Sequence, residues 1–190
     1  MTSLALPSVR TRLSRARAAT ARLGAAESAV VALLVLGAIT VGGVRPLTVG
    51  LLWLALVTPR LMAVDIAEHR LPDAIVLPGY PIVLLAVGAD AIWGRTDLRA
   101  ALVAGIAYGG TLLVLHALGG MGLGDVKLAP VLGLLLGGIG PVAAVVGPLA
   151  AMFAGGAAAV VALIRFGPRA HIPFGPPMLL GAWAALLLPV

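Results

Sequence analysis

Two aspartates stand where a carboxylate could do chemistry. Asp65 lies in VDIAEHRLPD, residues 64–73, and Asp125 in GGMGLGDVKL, residues 119–128. The chain has only seven acidic residues in 190, and long apolar runs flank both stretches. An ionisable side chain at membrane depth is costly to keep, and function is the default reason for one. Two carboxylates in one partly dry cleft can share a proton. One takes a proton from water while the other donates to a carbonyl or a leaving group, which is the chemistry of aspartic peptidases. Other hydrolytic sets are missing: there is no cysteine, no Ser/His/Asp set is apparent, and His69, His116 and His171 are far apart in sequence. Without cysteine there is no disulfide and no Cys-based zinc site.

The elements that must carry these residues are membrane helices. Hydrophobic residues make up 61% of the chain and charged residues 11%. A soluble domain averages about 45–50% apolar and about 25% charged. The composition implies an all-α, polytopic integral membrane bundle of about six to seven spans. Seven apolar segments are legible, near 29–44, 46–66, 74–93, 98–118, 126–140, 141–165 and 174–190. Most approach the roughly 20 residues that a helix needs to cross a hydrocarbon core. Gly105 and Gly109, and Gly133 and Gly137, have the spacing that lets helices pack closely.

The net charge of +6 could suggest nucleic acid, but the arginines cluster at the ends of apolar runs, where topology puts them. The reading has no nucleic-acid partner. Residues 1–26 form a basic tail with Arg10, Arg12, Arg15, Arg17 and Arg22. They are read as a disordered cytosolic segment held against anionic lipid rather than as a targeting peptide. An extra N-terminal helix at 27–45 follows, then the membrane domain at 46–190. With the tail in the cytosol, ten of the thirteen basic residues fall on that side and only Arg45, Arg95 and Arg99 fall outside. Asp65 and Asp125 then emerge on the same face. The run behind Asp125, Leu128–Gly140, is too short to span, so a helix beginning after Asp125 would leave that residue below the lipid surface.

Bland roles fit most other polar residues. Glu27, Asp90 and Asp97 mark the ends of apolar runs. Glu68 and His69 read as solvated loop residues, His116 and His171 as packing or interface residues, and Arg60 as snorkelling to lipid phosphate. Asp65 ends a helix and Asp125 precedes one. Helix dipoles would therefore make Asp65 the acid and Asp125 the base.

GLGD at 122–125 with Val126-Lys127-Leu128 resembles the GxGD-x-K-L motif of type IV prepilin peptidases, the GxGD aspartic proteases. In VDIAEHRLPD, Asp65, Pro72 and Asp73 match the spacing of that family's first motif. IPFGPPMLLGA at 172–182 resembles the segment that opens its last helix. The resemblance implies a membrane endopeptidase that removes the basic leader of prepilins or pseudopilins at the cytosolic face of the plasma membrane. It implies a catalytic pair of Asp65 and Asp125, and motif roles for Gly122, Gly124, Lys127, Pro72 and Asp73, with Lys127 near lipid or a substrate acid. Larger members carry a cysteine-bound zinc insert and an N-methyltransferase activity. This chain has no cysteine, so peptidase activity alone is expected, with no cofactor. GLGD also occurs in presenilin and signal peptide peptidases, but Val64 precedes Asp65 here and no Pro-Ala-Leu follows. A rival reading is a small proton-coupled transporter or channel with Asp65 and Asp125 as proton carriers; a third is a non-catalytic assembly factor.

Overall fold

The computed structural model describes residues 9–167 and 172–187. Regular structure among the described residues is helical throughout. The helices are α1 (Val9–Gly42), α2 (Leu47–Glu68), α3 (Asp73–Val76), α4 (Gly79–Ile92), α5 (Leu98–Ala117), α6 (Leu123–Ile139), α7 (Pro141–Phe166) and α8 (Gly175–Leu187). The short α3 ends just before Pro78, and with α4 it forms one apolar stretch, Asp73–Ile92. The seven segments read from the sequence are therefore present, in order. Four of them are long and apolar enough to cross a membrane: α2, α3–α4, α5 and α7. The apolar part of α1, Ala26–Gly42, and α8 are shorter.

One expectation changes. The backbone is helical from Val9 to Gly42, where an irregular tail was expected for much of that stretch. Arg169 and His171 lie outside the described residues, as do residues 1–8.

α6 is the central helix. Leu, Val, Ala and Gly surround it on every side, and such a helix is stable only when buried. α5 is its most extensive neighbour, and α2, α4, α7 and α8 also touch it. At 17 residues it is about 25 Å long, which suits a helix set among others rather than in lipid. The glycine pairs explain the α5–α6 contact. A Cβ on Gly133 would lie 2.6 Å from the Ala104 carbonyl oxygen, and one on Gly137 would lie 2.7 Å from Ala101 Cα. The facing Gly109 receives the Pro130 ring, whose Cγ would be 2.6 Å from an added Cβ. α2 and α8 are tied by a buried hydrogen bond: Trp183 Nε1–H donates to Thr58 Oγ1 at 3.0 Å, and that hydroxyl donates to the Leu54 carbonyl at 2.7 Å.

Asp90, read as a bland helix-end residue, is fully buried at the last turn of α4. Thr96 Oγ1 lies 2.6 Å from its Oδ2 and 2.9 Å from the Gly138 carbonyl, so one hydroxyl links α4 to the end of α6. Arg45 approaches the same carboxylate at 3.8 Å. Asp97 caps α5, accepting from the backbone N–H groups of Arg99 and Ala100. Both roles are structural, as their sequence setting suggests.

Candidate functional site

The two halves of the site come from the end of α2 and from the turn that joins α5 to α6. α5 closes at Leu118 in a Schellman pattern. The Gly120 N–H donates to the Leu115 carbonyl, the Gly119 N–H donates to that of His116, and Gly119 takes the left-handed φ of 81° that such an ending needs. His116 Nδ1 lies 2.7 Å from the Met121 carbonyl, so this histidine braces the loop. The backbone turns extended at Gly122 and enters α6 at Leu123. Asp125 is thus inside the first turn of α6, not before the helix. Its Oδ2 turns back to within 3.2 Å of where a Gly122 Cβ would be. Gly124 has a different reason to be glycine: an added Cβ would sit 3.1 Å from the Leu71 backbone nitrogen and 3.0 Å from Leu71 Cβ. The first turn of α6 therefore packs on the loop that follows Asp65.

Asp65 lies in the last turn of α2 and is 4% exposed; Asp125 is 7% exposed. Both line one cavity of about 590 Å³. His69, the Gly119–Gly122 loop, Met152 and Gly155 of α7, and the Ile172–Phe174 approach to α8 complete its wall. The Gly175 N–H donates to Asp65 Oδ2 at 2.8 Å, across 110 residues of sequence. This bond removes the basis for separating the two aspartates by helix dipole. Asp65 sits near the end of α2 but also faces the first N–H of α8, and Asp125 lies in the first turn of α6. Each carboxylate meets the positive end of a helix.

The supporting residues also converge. Lys127 Nζ binds both carboxylate oxygens of Asp73, each at 2.8 Å. The sequence placed Lys127 against lipid or a substrate acid; the structure gives it a partner within the chain. The Tyr80 hydroxyl donates to the Lys127 carbonyl at 2.8 Å. Pro72 caps α3, its carbonyl accepting from Ile75 and Val76. The segment after Asp65 and the start of α6 are thus joined by one ion pair and one glycine contact, and the Tyr80 bond ties α4 to the same part of α6. The ion pair is exposed, at 41% for Lys127 and 53% for Asp73, so its effect on stability is small. A double-mutant cycle of Asp73→Ala and Lys127→Ala, read by unfolding in detergent, is expected to give a coupling of about 0.2–1 kcal/mol. A coupling of zero would mean that the pair does not hold these elements together.

Three contributors were not legible in sequence. His69 is exposed and follows the last residue of α2, as its reading as a solvated loop residue expects, but it also caps α2 with φ 51° and lines the cavity, a role that reading did not include. Its signal was its position four residues after Asp65, one helical turn further on the same face. Gly175 sat in a noted motif, but nothing local reveals its bond to Asp65. The Phe174 ring lies against Gly155 so closely that a Cβ there would overlap it, and neither residue has a local signature. Among the described residues, no group of three or more His, Cys, Asp or Glu side chains could hold a metal ion.

A profile of the type IV leader peptidase family matches residues 47–164, more than half of the chain. The match takes in both aspartates and ends before the IPFGP stretch. No curated protein and no solved structure matches the chain. The helical membrane architecture agrees with the profile, and the chain belongs to the type IV leader peptidase family, as a multi-pass membrane protease of the leader-peptidase kind.

Proposed function

We propose that this protein is an aspartic endopeptidase that cleaves the basic leader from type IV prepilins or pseudopilins, with Asp65 and Asp125 as the catalytic pair. The observation that carries this reading is the burial of both carboxylates in one cavity, reached from two helix ends by a glycine loop. In the reaction, one carboxylate accepts a proton from water as the oxygen attacks the scissile carbonyl carbon. The other donates its proton to the carbonyl oxygen. Collapse of the tetrahedral intermediate passes a proton to the departing amine, and the pair again holds one proton between its members. His69 lines the wall of the same cavity.

Positive residues at the helix ends support a cytosolic N-terminus in the plasma membrane, with the cavity opening on the cytosolic side. Lipid is the surrounding partner on that reading. The division into a basic segment at 1–26, an extra helix at 27–45 and a peptidase domain at 46–190 belongs to the same proposal. So does peptidase activity without methylation, because the chain has no cysteine for a zinc-bound insert.

The test is incubation of the purified protein in detergent with a prepilin, followed by mass analysis of the new N-terminus. A single cut after the basic leader, without added methyl, is expected. An intact prepilin together with proton flux in liposomes would replace the peptidase reading with the proton-carrier one.

A further inference from the structure

A second cavity, of about 500 Å³, opens between α5 and α7. It is lined by small side chains, among them Ala100, Ala104 and Ala107 of α5 and Ala144 of α7, and no charged residue lines it. α7 packs its Gly147, Ala151 and Gly155 stripe towards α8 and α6 and meets α5 only sparsely. Met152 lines both this cavity and the one that holds the aspartates. Along α7 the uncharged cavity runs from Pro141 to Met152. At 1.5 Å per residue that is about 17 Å, roughly half of a hydrocarbon core.

One polar group breaks the apolar lining without a partner of its own. Tyr108 is 5% exposed, lines the α5–α7 cavity and has a buried hydroxyl with no hydrogen-bond partner among the described residues. It lies within Coulombic range of Asp125. The neighbouring Thr111 hydroxyl is already committed, donating to the Ala107 carbonyl at 2.8 Å. An unpartnered buried hydroxyl costs about 1–3 kcal/mol, so keeping one calls for a ligand that satisfies it.

We propose that the trough along α5 and α7 is the docking surface for an apolar, membrane-spanning segment of the substrate, and that the Tyr108 hydroxyl engages the substrate backbone where that segment meets the aspartates. This rests on the peptidase reading. The uncharged lining, and its continuity through Met152 with the cavity of the aspartates, fit an apolar segment beside the cut. The alanines let its backbone approach closely. Near the scissile bond the chain must leave the helix to expose its carbonyl, and each backbone group freed in an apolar setting needs a partner. Tyr108 supplies a donor on the α5 wall of the second cavity, within Coulombic range of Asp125.

The experiment uses the full-length protein in phosphatidylcholine vesicles with a prepilin that carries both leader and apolar segment. Ala107→Trp fills the trough and is expected to lower cleavage of this prepilin at least tenfold, and to lower cleavage of a short peptide spanning the cut much less. Ile106→Trp, on the same helix but outside the lining, should cleave at the parent rate. Tyr108→Phe is expected to lower cleavage about threefold to tenfold, the value of one hydrogen bond, with no fall in the thermal midpoint. A purely structural tyrosine would lower the midpoint instead. A photo-crosslinker at position 107 in the Asp125→Asn protein is expected to label the apolar segment of the prepilin. Labelling of lipid alone, no labelling, or full cleavage by Ala107→Trp would overturn the docking surface. Full cleavage by Tyr108→Phe would overturn the role of the hydroxyl. Labelling of the prepilin with no cleavage by the parent protein would leave the docking surface standing and remove the peptidase reading.

Discussion

Asp65→Asn and Asp125→Asn are each expected to lower prepilin cleavage by about 10²–10⁴-fold, the usual contribution of a positioned acid or base. The amide keeps the size of the carboxylate, so packing around α2 and α6 is retained and the variants should remain folded in the membrane. The double variant should be little worse than either single one, because two groups that act on one proton fail together. Matched amounts of protein, initial cleavage rates and a thermal midpoint in detergent check the expectation. Parent-like cleavage by either single variant would remove that residue from the pair. Loss of the fold in both would make the aspartates structural, as Asp90 is. The bond from the Gly175 N–H to Asp65 Oδ2 survives in Asp65→Asn if the amide oxygen takes the place of Oδ2, and this favours retention of the fold.

Gly175→Ala is expected to lower cleavage by about 10²-fold, the scale of a 1 Å misplacement of a reacting group. A Cβ at this position would lie 2.7 Å from Asp65 Oδ2 and 3.1 Å from its Cγ. Leu71 Cδ2, 3.2 Å from the same point, closes another way out. Elsewhere in a helix, glycine to alanine gains about 0.5–1 kcal/mol where the space exists. Here the clash falls on the carboxylate itself, so Asp65 must turn away or α8 must shift. Gly110→Ala, which meets nothing within 4 Å, is the control and should cleave at the parent rate without loss of stability. Comparison of cleavage rate with thermal midpoint separates the two effects. A Gly175→Ala protein that cleaves normally would show that Asp65 does not depend on this contact.

The two aspartates also show where sequence reasoning was strong and where it stopped. Alternation of charge and apolar run placed Asp65 and Asp125 on one side, because each helix crossing reverses direction and positive residues mark the ends. Motif spacing singled out Pro72, Asp73, Gly122, Gly124 and Lys127. Helix ends were less legible. α6 begins three residues earlier than its apolar run suggested, because Gly122-Leu123-Gly124 belongs to the cap and first turn. The dipole argument for separate acid and base roles failed for a related reason: it used each aspartate's own helix and could not include α8.

Helical membrane architecture, the order of the segments and the position of both carboxylates near helix ends were therefore set in the sequence, since hydropathy and local spacing are properties of neighbouring residues. The meeting of those carboxylates in one cavity was decided only by the tertiary structure. So were the Gly175 bond to Asp65, the Lys127 pair with Asp73, the seat of Leu71 against Gly124, and the unpartnered hydroxyl of Tyr108. Apart from that hydroxyl, each of these joins separate helices or loops that lie more than about 40 residues apart in the chain. Packing at that separation depends on which helices become neighbours, and small residues such as Gly133 and Gly137 leave the room for it without naming the partner.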